Sequence, residues 1–133
     1  MQKASLHIVL DVDGTLEGFG GSVTSELCRK LRQKGARLWM LSKRDTDREA
    51  HEIMDIFHLE EVVVHGGIDY VDIKTKTLLA LKDRLAATLI VYVGDRIEDM
   101  IVAFKADVVY CSDTTLTLDI FEEVKNPHIR AIL

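Results

Sequence analysis

The stretch His7-Ile8-Val9-Leu10-Asp11-Val12-Asp13-Gly14-Thr15-Leu16 decides how the rest of the chain is read. Its first four residues, His7–Leu10, form a short apolar run without polar alternation, the pattern of a strand buried on both faces. The run stops at an acid, a second acid follows at i+2, and Gly14 then allows the backbone to turn sharply and approach a ligand closely. A calcium loop of the EF-hand kind would need a glutamate at its twelfth position. Counted from Asp11 that position is Ser22, so this reading fails.

Outward from this point, apolar runs alternate with helical patterns. The glycine-rich stretch Gly14–Gly21 leads to Ser22 or Thr24, either of which can cap a helix carrying Val23, Leu27 and Leu31, with Gly35 as its stop. Arg37–Leu41 reads as a second strand ending at Ser42. Asp45 or Thr46 can cap a helix with Ile53, Ile56 and Phe57 inward. Glu61–Val64 reads as a third strand, closed by His65-Gly66-Gly67, and Tyr70–Ile73 as a short extended piece. Thr75–Leu85 is expected to be helical, with Leu78, Leu81 and Leu85 inward. Leu89–Val93 is the clearest strand, broken by Gly94-Asp95. Glu98–Lys105 reads as a short helix, Val108–Tyr110 as a fifth strand and Leu116–Val124 as a terminal helix.

Short unalternating strands, each followed by an amphipathic helix, describe right-handed βαβ units. The expected fold is therefore three-layer α/β: a doubly wound, mostly parallel, Rossmann-like sheet of five strands. Ligands bind beyond the carboxyl ends of strands in such sheets. Asp11, Asp13, Ser42 and Asp95 all follow strand ends, so four separated segments converge on one rim.

Composition narrows the function classes. The chain has 133 residues, 47% hydrophobic and 29% charged, which suits one globular domain, residues 1–133, with an ample core. A net charge of −5 without a Lys/Arg block argues against a dedicated nucleic-acid module. Cys28 and Cys111 are too few for a disulfide framework and read as buried thiols. The opening residues show no signal-peptide pattern and no apolar run nears the ~20 residues of a membrane span, so a cytoplasmic protein without membrane attachment is expected.

The second acidic motif is Gly94-Asp95-Arg96-Ile97-Glu98-Asp99. Asp95 and Asp99, four apart at a helix start, share a face, and hard carboxylate oxygens suit Mg²⁺. Taken alone, Asp95 would read as a helix cap. Together with Asp11 and Asp13, however, it belongs to a crowd of carboxylates that repel one another unless a cation joins them. A divalent metal, the Ser42 hydroxyl and an ammonium from Lys74 or Lys76 would together clamp a phosphoryl group. Lys43, Arg44 and Arg96 lie beside these residues and are weaker candidates for reading an anionic substrate.

From His7 to about Ser112 the sequence resembles the haloacid dehalogenase-like (HAD) superfamily of phosphohydrolases. The resemblance rests on Asp11–Leu16 (DVDGTL), on Leu38–Ser42 as an apolar strand ending in serine, on a lysine before a helix, and on Gly94–Asp99 (GDxxxD). It implies that Asp11 is a nucleophile forming an aspartyl-phosphate and Asp13 the acid–base residue, with Ser42 and the lysine holding phosphoryl oxygens. Lys74 is preferred over Lys76, because Leu78, Leu81 and Leu85 then follow at helical offsets. It further implies Mg²⁺ on Asp11, the Asp13 carbonyl and Asp95, with Asp99 in support directly or through water. The dehalogenase branch lacks the second acid, so Asp13 points to phosphoryl chemistry. Residues 14–41 and 43–73 leave no room for a cap domain. An open site is expected, which in such relatives goes with bulky phosphorylated substrates or with homo-oligomers, and the Gly14–Gly21 loop could serve as a small lid, with Glu17 and Phe19 near substrate. Two other readings compete: a non-catalytic binding or assembly module of the same fold, and a receiver-like phosphoacceptor domain. The second would need an aspartate at the tip of the third strand, where His65-Gly66-Gly67 stands.

Overall fold

The computed structural model describes residues 6–42, 47–63, 70–86 and 89–133. Its elements in chain order are β1 (Leu6–Leu10), α1 (Ser25–Gln33), β2 (Arg37–Ser42), α2 (Asp47–Phe57), β3 (Glu60–Val63), α3 (Tyr70–Leu85), β4 (Leu89–Gly94), α4 (Ile97–Lys105), β5 (Val109–Ser112), α5 (Ile120–Glu123) and β6 (Ala131–Ile132). The strands form one sheet in the order β3-β2-β1-β4-β5-β6, and every pairing is parallel. The five expected strands are present, and a sixth of two residues extends the β5 edge. β6 is too short to carry a periodic signal.

Alternation along the buried strands divides the core into two layers. Ile8, Leu10, Leu38, Met40, Val91 and Val93 face one side with Cys28 and Leu31 of α1 and Ala50, Ile53 and Phe57 of α2. Val9, Trp39, Leu41, Ile90 and Tyr92 face the other, against Leu78 and Leu81 of α3 and Val102 and Ala103 of α4. Both faces are covered, which is why the strand runs lack polar alternation.

Chain order reverses between β1 and β4. β1 pairs with β2 on one flank and with β4 on the other, with Leu10 opposite Val93. This is the crevice at which open α/β sheets bind ligands. The register brings the residues that follow both strands, Asp11 and Asp95, to the same end of the sheet.

α1 is capped by the Thr24 hydroxyl, which accepts from the Leu27 N–H at 3.1 Å. Gly35, at φ 102°, follows the helix in the left-handed conformation that a C′ glycine favours. Four expectations need correction. Tyr70–Ile73 is not extended but forms the first turn of α3. Tyr70, Val71 and Ile73 carry strand propensity, which the tertiary need to bury Lys74 and Leu78 on one helix face overrides. Leu116–Val124 is helical only over Ile120–Glu123. The threonines here bond otherwise, Thr115 Oγ1 to the nearby Ser112 carbonyl and to the Ile132 carbonyl of β6, and the Thr117 hydroxyl to the Asp119 N–H. Ile56 is 56% exposed, and Ala50, Ile53 and Phe57 make the inner stripe of α2.

The fourth concerns the glycine-rich loop, which is stitched down rather than free to swing. Gly14 N–H donates to the Phe19 carbonyl, Glu17 N–H to Val23, Gly21 N–H to Leu16 and Val23 N–H to Thr15. The Ser22 N–H reaches across to Asp113 Oδ2 at 3.1 Å, and Phe19 packs on the core. A Cβ at Gly21 would lie 2.0 Å from the Thr15 carbonyl carbon, which is backbone and has nowhere to go. Gly21→Ala should therefore destabilise the protein by about 1–3 kcal/mol in urea unfolding, as overpacked sites do. Unchanged stability would show that the loop is not held this closely.

Among the described residues no helix is long and apolar enough to cross a membrane. β1 and β2 are joined by the loop and α1 alone, and no cap domain occurs among the described residues.

Candidate active site

Asp11 leaves β1 with its N–H bound to the Val93 carbonyl, so the first residue beyond β1 is tied to β4. Its Oδ1 accepts the Val12 N–H at 2.9 Å and faces Lys74 Nζ at 3.2 Å. Lys74 lies one turn into α3 and points into the molecule, 1% exposed. A buried ammonium needs partners. This one has Asp11, the Tyr92 hydroxyl at 3.2 Å, Asp99 Oδ1 at 3.8 Å and the face of Tyr70, 4.7 Å to the ring centroid. Lys76 faces outward and pairs with Asp72 at 3.1 Å.

Asp99 is fully buried at the start of α4. Its Oδ2 accepts the N–H groups of Asp95 and Arg96, both at 3.2 Å, and Oδ1 accepts the Tyr92 hydroxyl at 3.1 Å. Both glycines of the two motifs make room for carboxylates. A Cβ on Gly94 would lie 2.4 Å from Asp99 Oδ2, and one on Gly14, at φ 78°, 2.2 Å from Asp95 Oδ2. The two motifs are thus seated against each other at the level of single side chains.

Carboxylate oxygens of Asp11, Asp95 and Asp99 lie within 4.8 Å of one another. Three carboxylates against one ammonium leave an excess of negative charge in a partly buried place. Burial pushes the Asp11 carboxyl up to about 6, the Asp99 charge adds to the rise, and Lys74 opposes it. Asp95 is raised too, first by burial and then by Asp99. The Tyr92 hydroxyl is held well above its ordinary range, by burial first and then by Asp11 and Asp99, so it stays a neutral donor. Oxygen donors clustered this tightly, with negative charge in excess, fit a hard divalent cation.

Asp11, Asp13, Tyr70, Lys74 and Arg96 line an open cleft of about 230 Å³ beside this cluster. Asp13 is exposed there, and Arg96 extends from the rim with its Nε 4.0 Å from Asp95 Oδ2. Ser42 ends β2; its side chain, together with Lys43, Arg44 and His65, lies outside the described residues. Glu17 and Phe19 do not line the cleft. Sequence reasoning missed Tyr70 and Tyr92. Tyr92 hides in the apolar run of β4, although a tyrosine buried in mid-strand must find a hydrogen-bond partner, and that requirement was the available signal.

No protein-family model matches the chain, and no curated protein matches it. Solved structures do. The cobalt-bound deoxy-D-mannose-octulosonate 8-phosphate phosphatase (YrbI) from Haemophilus influenzae superposes with a TM-score of 0.58 at 17% identity, covering 96% of this chain and 76% of that one. A probable YrbI-family phosphatase from Pseudomonas syringae pv. phaseolica 1448a gives 0.56 at 21% identity, covering 98% and 76%. These matches show that the chain shares the parallel α/β fold of these two phosphatase structures.

Proposed function

We propose that this protein is a Mg²⁺-dependent phosphomonoester hydrolase in which Asp11 accepts the phosphoryl group. One observation carries the reading: a buried carboxylate paired with a buried ammonium at 3.2 Å, beside two further carboxylates, at the switch point of a parallel sheet.

Asp11 Oδ1 is occupied by Val12 and Lys74, so attack on phosphorus falls to Oδ2. The bond from Oδ2 to phosphorus forms as the bond from phosphorus to the leaving oxygen breaks. Asp13 gives that oxygen its proton, then takes one from the water that attacks the aspartyl-phosphate and regenerates the Asp11 carboxylate. Lys74, fixed before substrate arrives, offers its charge to the phosphoryl oxygens without reorganising. The Ser42 hydroxyl, at the end of β2, is assigned a donor role to the same oxygens. Asp11, Asp95 and the Asp13 carbonyl would hold Mg²⁺, with Asp99 in support, and the ion would supply the positive charge that keeps Asp11 ionised and draws in the phosphate. The cobalt bound in the Haemophilus influenzae neighbour supports a divalent metal here.

Substrate is a phosphomonoester whose phosphoryl end enters the cleft while the remainder lies over Tyr70 and Arg96. The test is turnover of p-nitrophenyl phosphate with Mg²⁺ in excess and its disappearance with EDTA. Hydrolysis indifferent to chelation, or no hydrolysis across a panel of phosphomonoesters, would contradict the reading.

A further inference from the structure

The hydroxyl of Tyr92 sits where the two halves of the site meet. It accepts from Lys74 Nζ at 3.2 Å and donates to Asp99 Oδ1 at 3.1 Å. Lys74 in turn faces Asp11, and Asp99 Oδ2 holds the backbone that presents Asp95. One oxygen atom therefore links the residues proposed to hold the phosphoryl group with those proposed to hold the cation. Tyr92 itself is fully buried, does not line the cleft and cannot touch substrate.

Its geometry leaves little slack. Asp99 rests against Gly94, and turning its carboxylate to seek another donor for Oδ1 would break the bonds of Oδ2 to the Asp95 and Arg96 N–H groups. Lys74 enters from α3 and meets the same hydroxyl at 3.2 Å. Without that hydroxyl, Lys74 would be drawn towards Asp99, whose Oδ1 is already 3.8 Å away, and away from Asp11. An ammonium shared differently between two acids is a phosphate clamp aimed differently.

We infer that Tyr92 is a positioning residue, whose hydroxyl sets Lys74 against Asp11 and fixes the Asp99 carboxylate that shapes the cation-binding loop. This rests on the phosphohydrolase reading of the site but makes a separate claim about a residue outside it.

Tyr92→Phe removes one oxygen and keeps the ring. Groups that orient ligands and catalytic side chains in this way typically cost 10–100-fold when lost, and about that fall in kcat is expected with p-nitrophenyl phosphate, with KM changed far less. Independently of turnover, calorimetric titration with Mg²⁺ should show weaker binding to Tyr92→Phe than to the unaltered protein. Tyr110→Phe is the matched control, since Tyr110 is buried on the neighbouring strand and donates to the Gly94 carbonyl at 2.9 Å, outside the Lys74–Asp99 link. It should lose stability but keep most of its kcat and Mg²⁺ affinity. Should Tyr92→Phe be too unstable for kinetics at 25 °C, the Mg²⁺ titration is made at 10 °C, and the same weakening is expected. Wild-type kcat and Mg²⁺ affinity in Tyr92→Phe, or equal losses in the two variants, would overturn the inference. An unaltered protein with no phosphatase activity would instead remove the reading beneath it.

Discussion

Asp11→Asn should abolish turnover, by on the order of 10⁴-fold or more, and at the same time make the metal-free protein more stable. The first effect follows if the Oδ2 oxygen is the nucleophile, because an amide cannot take its place. The second follows from burial. In the folded protein the Asp11 carboxyl rises to about 6 from an ordinary 3.8, so the native state holds this proton more tightly than the unfolded chain. Such a group is least costly when protonated. Metal-free stability is highest below about pH 4 on its account, falls as pH rises to about 6, and remains lowered above that. The full difference corresponds to roughly 3 kcal/mol. Asn at position 11 carries no charge and keeps an oxygen for Lys74 and the Val12 N–H. In urea unfolding with EDTA, the variant should gain up to about 3 kcal/mol at pH 7.5 and almost nothing at pH 4. Mg²⁺ should stabilise the unaltered protein at pH 7.5 and the variant much less. A variant less stable than its parent at pH 7.5 would show that burial does not dominate at Asp11.

Lys74→Met should be costly in both respects. Methionine fills a similar volume, but the change leaves Asp11 and Asp99 in place with no buried cation beside them. Breaking a buried pair from one side typically costs about 3–5 kcal/mol. Here the cost should shrink at pH 5, where Asp11 takes up a proton, and be largest at pH 7.5. Loss of a fixed charge aimed at the phosphoryl group should lower kcat by about 10²–10³-fold. Lys76→Ala provides the contrast. Its ammonium is exposed and pairs with Asp72 on the same helix, so it should change stability by less than about 0.5 kcal/mol and leave kcat as it was. Measured together by urea unfolding and steady-state kinetics, the two lysines separate a buried cation from a surface one. Similar small effects for both would contradict the role given to Lys74.

How far the sequence could be read depended on how local the deciding physics is. β1 and β4 were legible because a strand buried on both faces shows as an unbroken apolar run, and the acids at their ends marked the rim. The fold class followed from alternation alone. Two glycines could be recognised as motif members, but their reason was not visible. Gly94 makes room for Asp99 and Gly14 for Asp95, and such close approach between segments is a property of the folded molecule. The start of α3 was misread because Val71 and Ile73 favour strands until tertiary packing decides otherwise. Hydroxyl bonding by Thr115, which reaches as far as Ile132, and by Thr117 accompanies a shorter terminal helix in a way that periodicity does not reveal. The loop after Asp13 looked mobile from its glycines, whereas its hydrogen bonds run back onto itself and to Asp113. Tyr92 was the largest omission. Its ring belongs to the core, inside the apolar run Leu89–Val93, and its hydroxyl acquires meaning only once Lys74 and Asp99 arrive from two other elements.

During turnover the Asp11 carboxylate should become covalently phosphorylated. Asp13→Asn should slow breakdown of the aspartyl-phosphate and let it accumulate. Acid quenching in the presence of p-nitrophenyl phosphate, followed by borohydride reduction and peptide mass spectrometry, reads the site directly. Homoserine is expected at position 11, dependent on substrate and absent with EDTA. Homoserine at another aspartate, or rapid turnover that leaves every aspartate unmodified, would contradict it.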